Sequence, residues 1–206
     1  MSITCRAKKT YSNGRVKRGK PPLTHSPLKK TTYRKCLPEL KRDFKKRCAY
    51  CMRSLARSAD REMQVDHFNP RKKNKKIQAY SNLFLSDAHC NGTKSDIWPS
   101  KEQQAKGLHL LNCCEEYDYG NVIFEDSETH ELVGTTPAAI YHIEVIDLNA
   151  QHLVDERRKR SELRSLLTRP AYLDIKNKPE VYEISKALQK ISKEDFIPYI
   201  PPPPSE

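Results

Sequence analysis

Hydrophobic residues are thinly spread over the first third of the chain and gather into short periodic runs afterwards. From Pro38 to Arg47 the pattern is helical: proline suits the first turn, and Leu40 and Phe44 fall four apart on one face of an otherwise basic segment. Glu62–His67 alternates as a short strand does, and Asn82–Ser86 supplies a second one across a basic loop from Arg71 to Lys76. A helix is expected next, with Asp87 or Asn91 as its cap.

Beyond Trp98, Val122–Glu125 and Glu131–Val133 flank a polar turn and predict a hairpin. Tyr141–Leu148 is apolar with no clear period. Asn149 is expected to cap a helix running to about Thr168, where Arg169-Pro170 stops it; its centre, Asp155–Ser161, is nearly all charge and reads as a surface helix. Val181, Ile184, Leu188 and Ile191 recur at helical spacing and predict an amphipathic helix packed on the body. The tail Ile197–Pro204 favours polyproline II. No internal repeat is present.

Composition restricts how much of this is core. Of 206 residues, 36% are hydrophobic and 31% charged, which suits one domain with solvated extensions. Residues 1–35 are polar and basic with almost no apolar periodicity, so burial cannot offset the entropy of ordering them; a flexible arm is expected. No apolar run approaches the roughly 20 residues needed to cross a bilayer, and no apolar segment follows the basic N-terminus. A cytoplasmic protein without membrane attachment is the expectation. Seven cysteines, an odd number, then argue for reduced thiols and metal ligation.

The net charge of +12 hides an asymmetry. Residues 1–76 hold 24 Lys/Arg against 5 Asp/Glu, and residues 77–206 hold 14 against 21. A strongly positive first part joined to a mildly acidic body is what a phosphate-tracking arm looks like, because phosphate contacts supply most non-specific nucleic-acid affinity.

Three segments carry candidate chemistry: Cys48-Ala-Tyr-Cys51, Val65-Asp-His-Phe-Asn-Pro70, and Asn82 to Asn91 with Cys90 and Lys94. Hydrolysis of a phosphodiester needs a base for water and a cation to neutralise charge on the phosphate. His67, with a reference pKa of about 6.5, is the candidate base. Asp66 points to the opposite side of its strand and offers a hard oxygen, as does Asn91 from the helix; a carboxylate and an amide suit Mg²⁺ or Mn²⁺.

In their order and spacing these segments resemble the HNH, or His-metal finger, endonucleases. Asn82 follows His67 by 15 positions and Asn91 follows Asn82 by 9. The resemblance implies an α+β fold: a small ββα-metal finger braced by a zinc knuckle, a helical and hairpin C-terminal extension, and the flexible basic arm. It implies His67 as base, Asp66 and Asn91 as ligands of the catalytic metal, and Asn82 as the residue steadying the histidine-bearing loop. Nucleic-acid contacts are expected from Arg71, Lys72, Lys73 and Lys94. Cys48, Cys51 and Cys90 match three of the four family zinc ligands. His89 is favoured as the fourth, with Asp87, Cys113 and Cys114 as alternatives.

Domain limits follow: arm 1–35, nuclease core 36–105, C-terminal region 106–196 and Pro-rich tail 197–206. Leu110-Leu-Asn112, Asp147-Leu-Asn149, Leu153 and Arg157 resemble the subgroup containing the nuclease subunit of bacterial Septu anti-phage systems, which implies a partner ATPase. Cys113-Cys114 departs from the Asn-Pro of that pattern. DNA is the expected substrate. A basic arm and a metal finger leave RNA open, and a zinc-stabilised binding module without catalysis is the alternative of a different class.

Overall fold

The structure, a computed structural model, describes residues 14–19, 32–54, 63–73 and 76–194. Its centre is a pair of antiparallel strands, β1 (Gln64–His67) and β2 (Leu83–Ser86), with Asp66 opposite Phe84 and His67 opposite Leu83. All four β2 residues are buried, so this strand is the floor of the core rather than an edge. A 3₁₀ turn at Tyr33–Cys36 leads into α1 (Leu37–Asp43), which lays Leu40 and Phe44 on β2. α1 stops before Arg47, because Lys45 and Lys46 turn into positive φ and break the helical path.

Helix α2 (Ala88–Lys94) follows β2 directly. Asp87 caps it by accepting the His89 backbone N–H at 2.9 Å, one of the two caps the sequence offered. A further short helix, α3 (Lys101–Ala105), opens on a capping box between Ser100 and Gln103. The hairpin appears as β3 (Ile123–Glu125) and β4 (Leu132–Gly134). The apolar run of unclear period is resolved as a helix, α4 (Pro137–Ile146), capped by Thr136 and packed on β4. Gly134 permits that packing, since a Cβ there would meet the Ile140 nitrogen at 2.5 Å.

Two expectations change in α5 (Gln151–Leu167). Asn149 is not its cap: its side chain brackets Leu132, accepting from the backbone N at 2.7 Å and donating to the carbonyl at 3.0 Å. Nor is the charged stretch wholly a surface. Arg157 is buried and donates to the carbonyls of His130 and Leu148 and to Asn149 Oδ1 at 3.1 Å, tying α5 to the hairpin and to the end of α4.

Helix α6 (Pro170–Ile175) begins where Pro170 was expected to end α5. Helix α7 (Pro179–Glu194) packs on α5, but Ile184 is 62% exposed rather than part of the packed face. Leu188 instead joins Leu163, Leu167 and Tyr172 in lining an apolar groove between the last three helices. Among the described residues no helix is long and apolar enough to cross a membrane.

The basic arm departs from its expectation at residues 14–19, which dock on the body. Arg15 binds Asp118 at 2.9 Å, Val16 is buried and donates to the Cys113 carbonyl, and Arg18 lies over the rings of Phe44, Tyr80 and Phe84. Guanidinium–aromatic contact supplies the burial that the sparse apolar pattern did not advertise. Residues 32–35, also assigned to the arm, belong to the turn that leads into α1; the remainder of the arm and the Pro-rich tail lie outside the described residues.

His142, on α4, accepts the Leu111 N–H at 3.0 Å through Nδ1 and is buried so deeply that its pKa falls from 6.5 to about 4. The unfolded chain takes up this proton below pH 6.5 while the folded one refuses it until about 4. Stability should therefore drop as the pH falls through that window, by on the order of ~3 kcal/mol in all. In His142→Asn, whose amide oxygen can still accept from Leu111, denaturant midpoints between pH 7 and 4 should show a flatter decline; an unchanged slope would remove His142 as its source.

Candidate metal finger and active site

Strand β1 sorts its side chains by alternation. Gln64 and Asp66 face α2, while His67 faces the other way, toward Tyr33 and Gln78. The His67 ring sits 4.6 Å from the Tyr33 ring, and its Nε2 is 3.1 Å from the Gln78 amide oxygen. With Nε2–H donating there, Nδ1 carries the lone pair.

Asn82 is fully buried at the foot of β2 and clamps the loop that follows His67. Its oxygen accepts from Asn69 N at 3.1 Å, and its amide donates to the Asn69 and Ile77 carbonyls at 3.1 and 3.0 Å. The loop beyond the clamp leaves Arg71, Lys72 and Lys73 exposed beside the histidine.

On the α2 side the arrangement is tighter than expected. Asp66 is buried, and its carboxylate accepts from Lys94 Nζ at 3.0 Å and from the Tyr50 hydroxyl. Lys94, expected to reach a phosphate, is instead fully buried, and its ammonium also donates to the His67 carbonyl at 3.0 Å. The reason is electrostatic: a buried carboxylate needs a charged partner, and Lys94 is the cation within reach. Burial and the adjoining Asp66 hold the Tyr50 phenol well above its ordinary pKa, so it remains a donor. Asn91, one turn earlier on α2, donates to Gln64 at 2.6 Å, leaving its amide oxygen as a candidate ligand on the same face as Asp66.

Behind this site the sulfurs of Cys48, Cys51 and Cys90 converge within 4.8 Å of one another. Burial alone would raise the Cys48 pKa, but hydrogen bonds from the Cys51 and Cys90 thiols and from the Asp87 and Tyr50 backbone N–H groups outweigh it and push Cys48 well below the usual thiol range. Donation to Cys48 holds Cys51 and Cys90 high. One thiolate between two thiols, with Cys48 and Cys90 buried and Cys51 partly so, is a donor set for a soft cation such as zinc.

None of the four candidates for the last ligand joins the trio. His89 turns away to the Asp147 carbonyl at 3.2 Å and packs edge-on against His152. Asp87 is occupied by its helix cap and by Arg53. Cys113 and Cys114 lie under the 14–19 segment. Among the described residues the cluster is a three-cysteine site that could hold a metal ion.

Two antiparallel strands and a helix, with an Asp-His pair on the first strand and a thiol cluster behind it, define a ββα-metal finger. Residues 48–96 match the family model of the HNH endonucleases. No curated protein and no solved structure matches the chain. That match suggests a nuclease and implies nucleic-acid and divalent-metal binding. Tyr50, Gln78 and Tyr33 were missed in the sequence: nothing in local spacing marks a tyrosine inside a CxxC, or a glutamine 11 residues from its histidine, as partners.

Cys48 carries the charge of the trio, so Cys48→Ser should remove bound metal and lower the thermal midpoint. Elemental analysis of wild type purified without added zinc should find about one metal per chain. Wild type that is metal-free and equally stable would show a thiol cluster with no metal.

Proposed function

We propose that the protein is a metal-dependent HNH endonuclease that hydrolyses phosphodiester bonds in DNA. The observation that carries this reading is the His67 imidazole: half-buried, held through Nε2 by Gln78, with Nδ1 open, on a loop clamped by Asn82 inside the segment that matches the family. That is a general base fixed in one tautomer and one orientation. His67 Nδ1 takes a proton from water as the water oxygen bonds to phosphorus, the P–O bond to the leaving oxygen breaks, that oxygen takes up a proton from solvent, and Asn82 preserves the angle of approach by holding the loop. Arg71, Lys72 and Lys73 bear on the backbone of the same strand and carry no base code.

Asp66 and Asn91 would hold the catalytic cation. A carboxylate and an amide oxygen on one face are the right kind of donors for Mg²⁺ or Mn²⁺. When bound, the cation supplies charge neutralisation at the scissile phosphate. Lys94 already places one positive charge on Asp66 and keeps the carboxylate aligned, so it acts as a positioning residue instead of a phosphate contact. Zinc in the Cys48, Cys51 and Cys90 cluster braces the finger.

A role in anti-phage defence beside an ATPase, within the cytoplasm, is the context we assign. It rests on the resemblance of Leu110-Leu-Asn112, Asp147-Leu-Asn149, Leu153 and Arg157 to the Septu subgroup. The apolar groove between the last three helices, lined by Leu166, Ile175 and Leu188, is the surface assigned to that partner. The basic arm serves DNA.

A nicking assay on supercoiled plasmid with Mg²⁺ or Mn²⁺, run with the protein alone and with its co-purified partner, tests the reading. His67→Ala should lose roughly 10²–10⁴-fold in rate with DNA binding retained. Asn82→Ala should lose less and also lower the thermal midpoint. Equal cleavage by wild type and His67→Ala would end the assignment of the base; cleavage of single-stranded RNA alone would change the substrate; tight binding with no cleavage under either condition would favour a non-catalytic module.

A further inference from the structure

Cys113 and Cys114 are adjacent, buried, free, and take no part in the metal cluster. Three features set them apart from ordinary core thiols. The two sulfhydryls are hydrogen-bonded to one another. Arg18 Nε–H donates to Cys114 Sγ at 3.3 Å, while the same guanidinium donates to the Tyr80 carbonyl at 2.9 Å. Cys114 retains 8% of its surface against 1% for Cys113, so Cys114 is the less enclosed of the pair.

Residues 14–19 lie directly on this pair. Val16 N donates to the Cys113 carbonyl at 2.9 Å. Gly14 approaches so closely that a Cβ would stand 2.5 Å from the same oxygen. Arg15 reaches past it to Asp118 and to the Ala49 carbonyl beside the metal cluster. The docked segment is therefore held in part by the backbone conformation of 113–114 and by the Cys114 sulfur, beside the Arg15–Asp118 ion pair and the Arg18 bond to Tyr80.

We propose that Cys113–Cys114 is a peroxide-reactive dithiol whose oxidation to a vicinal disulfide releases the docked segment at residues 14–19. The thiolate of Cys114 attacks one oxygen of a hydroperoxide; the O–O bond breaks, and the departing alkoxide takes up the proton given by the thiol. Cys114 is then a sulfenic acid. The Cys113 thiol attacks the Cys114 sulfur, an S–S bond forms, the S–O bond breaks, and hydroxide leaves with the Cys113 proton as water. Two thiols lose two electrons, and the peroxide becomes an alcohol, or water, and one further water.

The order of attack follows from the surroundings. The hydrogen bond from Cys113 outweighs burial and, with Arg18, brings Cys114 from 9.0 down to about 7, whereas burial raises Cys113. Adjacent Cα atoms are about 3.8 Å apart, short of the usual disulfide range that begins near 4.4 Å, so the bond bends the backbone and is easily reduced. Bending displaces the carbonyl that holds Val16, and oxidation removes the thiolate charge on Cys114 that attracts Arg18. This chemistry is independent of the nuclease reading.

The test uses the full chain with its metal loaded and hydrogen peroxide near stoichiometric amounts. Peptide mapping without reduction should find the Cys113–Cys114 disulfide first, with Cys48, Cys51 and Cys90 still metal-bound. Limited trypsin cleavage after Arg15, Lys17 and Arg18 should rise several-fold and return to its starting rate with dithiothreitol. Arg18→Gln should slow the oxidation several-fold, and Cys113→Ser should stop at a Cys114 sulfenic acid that dimedone traps. Oxidation at the metal-cluster cysteines ahead of 113–114 would overturn the proposal. So would a 113–114 disulfide that leaves tryptic cleavage unchanged.

Discussion

The finger depends on one buried charge pair. Lys94, at the end of α2, has lost all contact with water, and its ammonium is surrounded by the Asp66 carboxylate and the His67 carbonyl. Desolvating an ammonium and a carboxylate is costly unless each finds several partners, and here Tyr50 supplies another hydrogen bond to Asp66. The pair thus holds the helix to the strand at the residue before the candidate base. Any motion of α2 would leave an uncompensated charge in the core, so strand and helix move together or not at all.

From that pair the rest of the site follows by short links. Tyr50 stands between Cys48 and Cys51, so the residue that bonds Asp66 is also part of the loop that converges on the thiol cluster. Arg53, just after the CxxC, bonds Glu156 on α5 at 2.7 Å and approaches Asp87 at 3.5 Å, which carries the constraint into the C-terminal helices. Arg157 and Asn149 then tie those helices to the hairpin. The extension is therefore connected to the finger by polar groups as well as by packing, and a chemical change at the N-terminal segment has a hydrogen-bonded route to the same CxxC through Arg15 and Ala49.

Sequence reading recovered local features well where chemistry and period agreed. The strands around Asp66 and Leu85, the Asp87 cap and the hairpin at Ile123–Gly134 all appear within a residue or two of their expected positions. The Ser100–Gln103 capping box was written in the chain and still went unread, because no apolar run follows it. Asn149 looked like a cap and serves instead as a bracket on Leu132; an asparagine before a helix satisfies either pattern, and only the position of β4 selects one.

What the chain determined by itself is the chemistry on offer: an Asp-His on a strand, an asparagine behind it, a helix with Asn91 and Lys94, and cysteines at metal spacing. These are matters of residue type and short separation, which local periodicity preserves. Tertiary structure decided which groups are paired and which are open. It drew Lys94 inward to Asp66, turned His89 away from the thiols toward Asp147, and seated Arg18 on Cys114 across 96 positions of sequence. The physical reason is that burial changes the value of a charge or a lone pair, and burial is a property of the packed molecule that no local pattern contains.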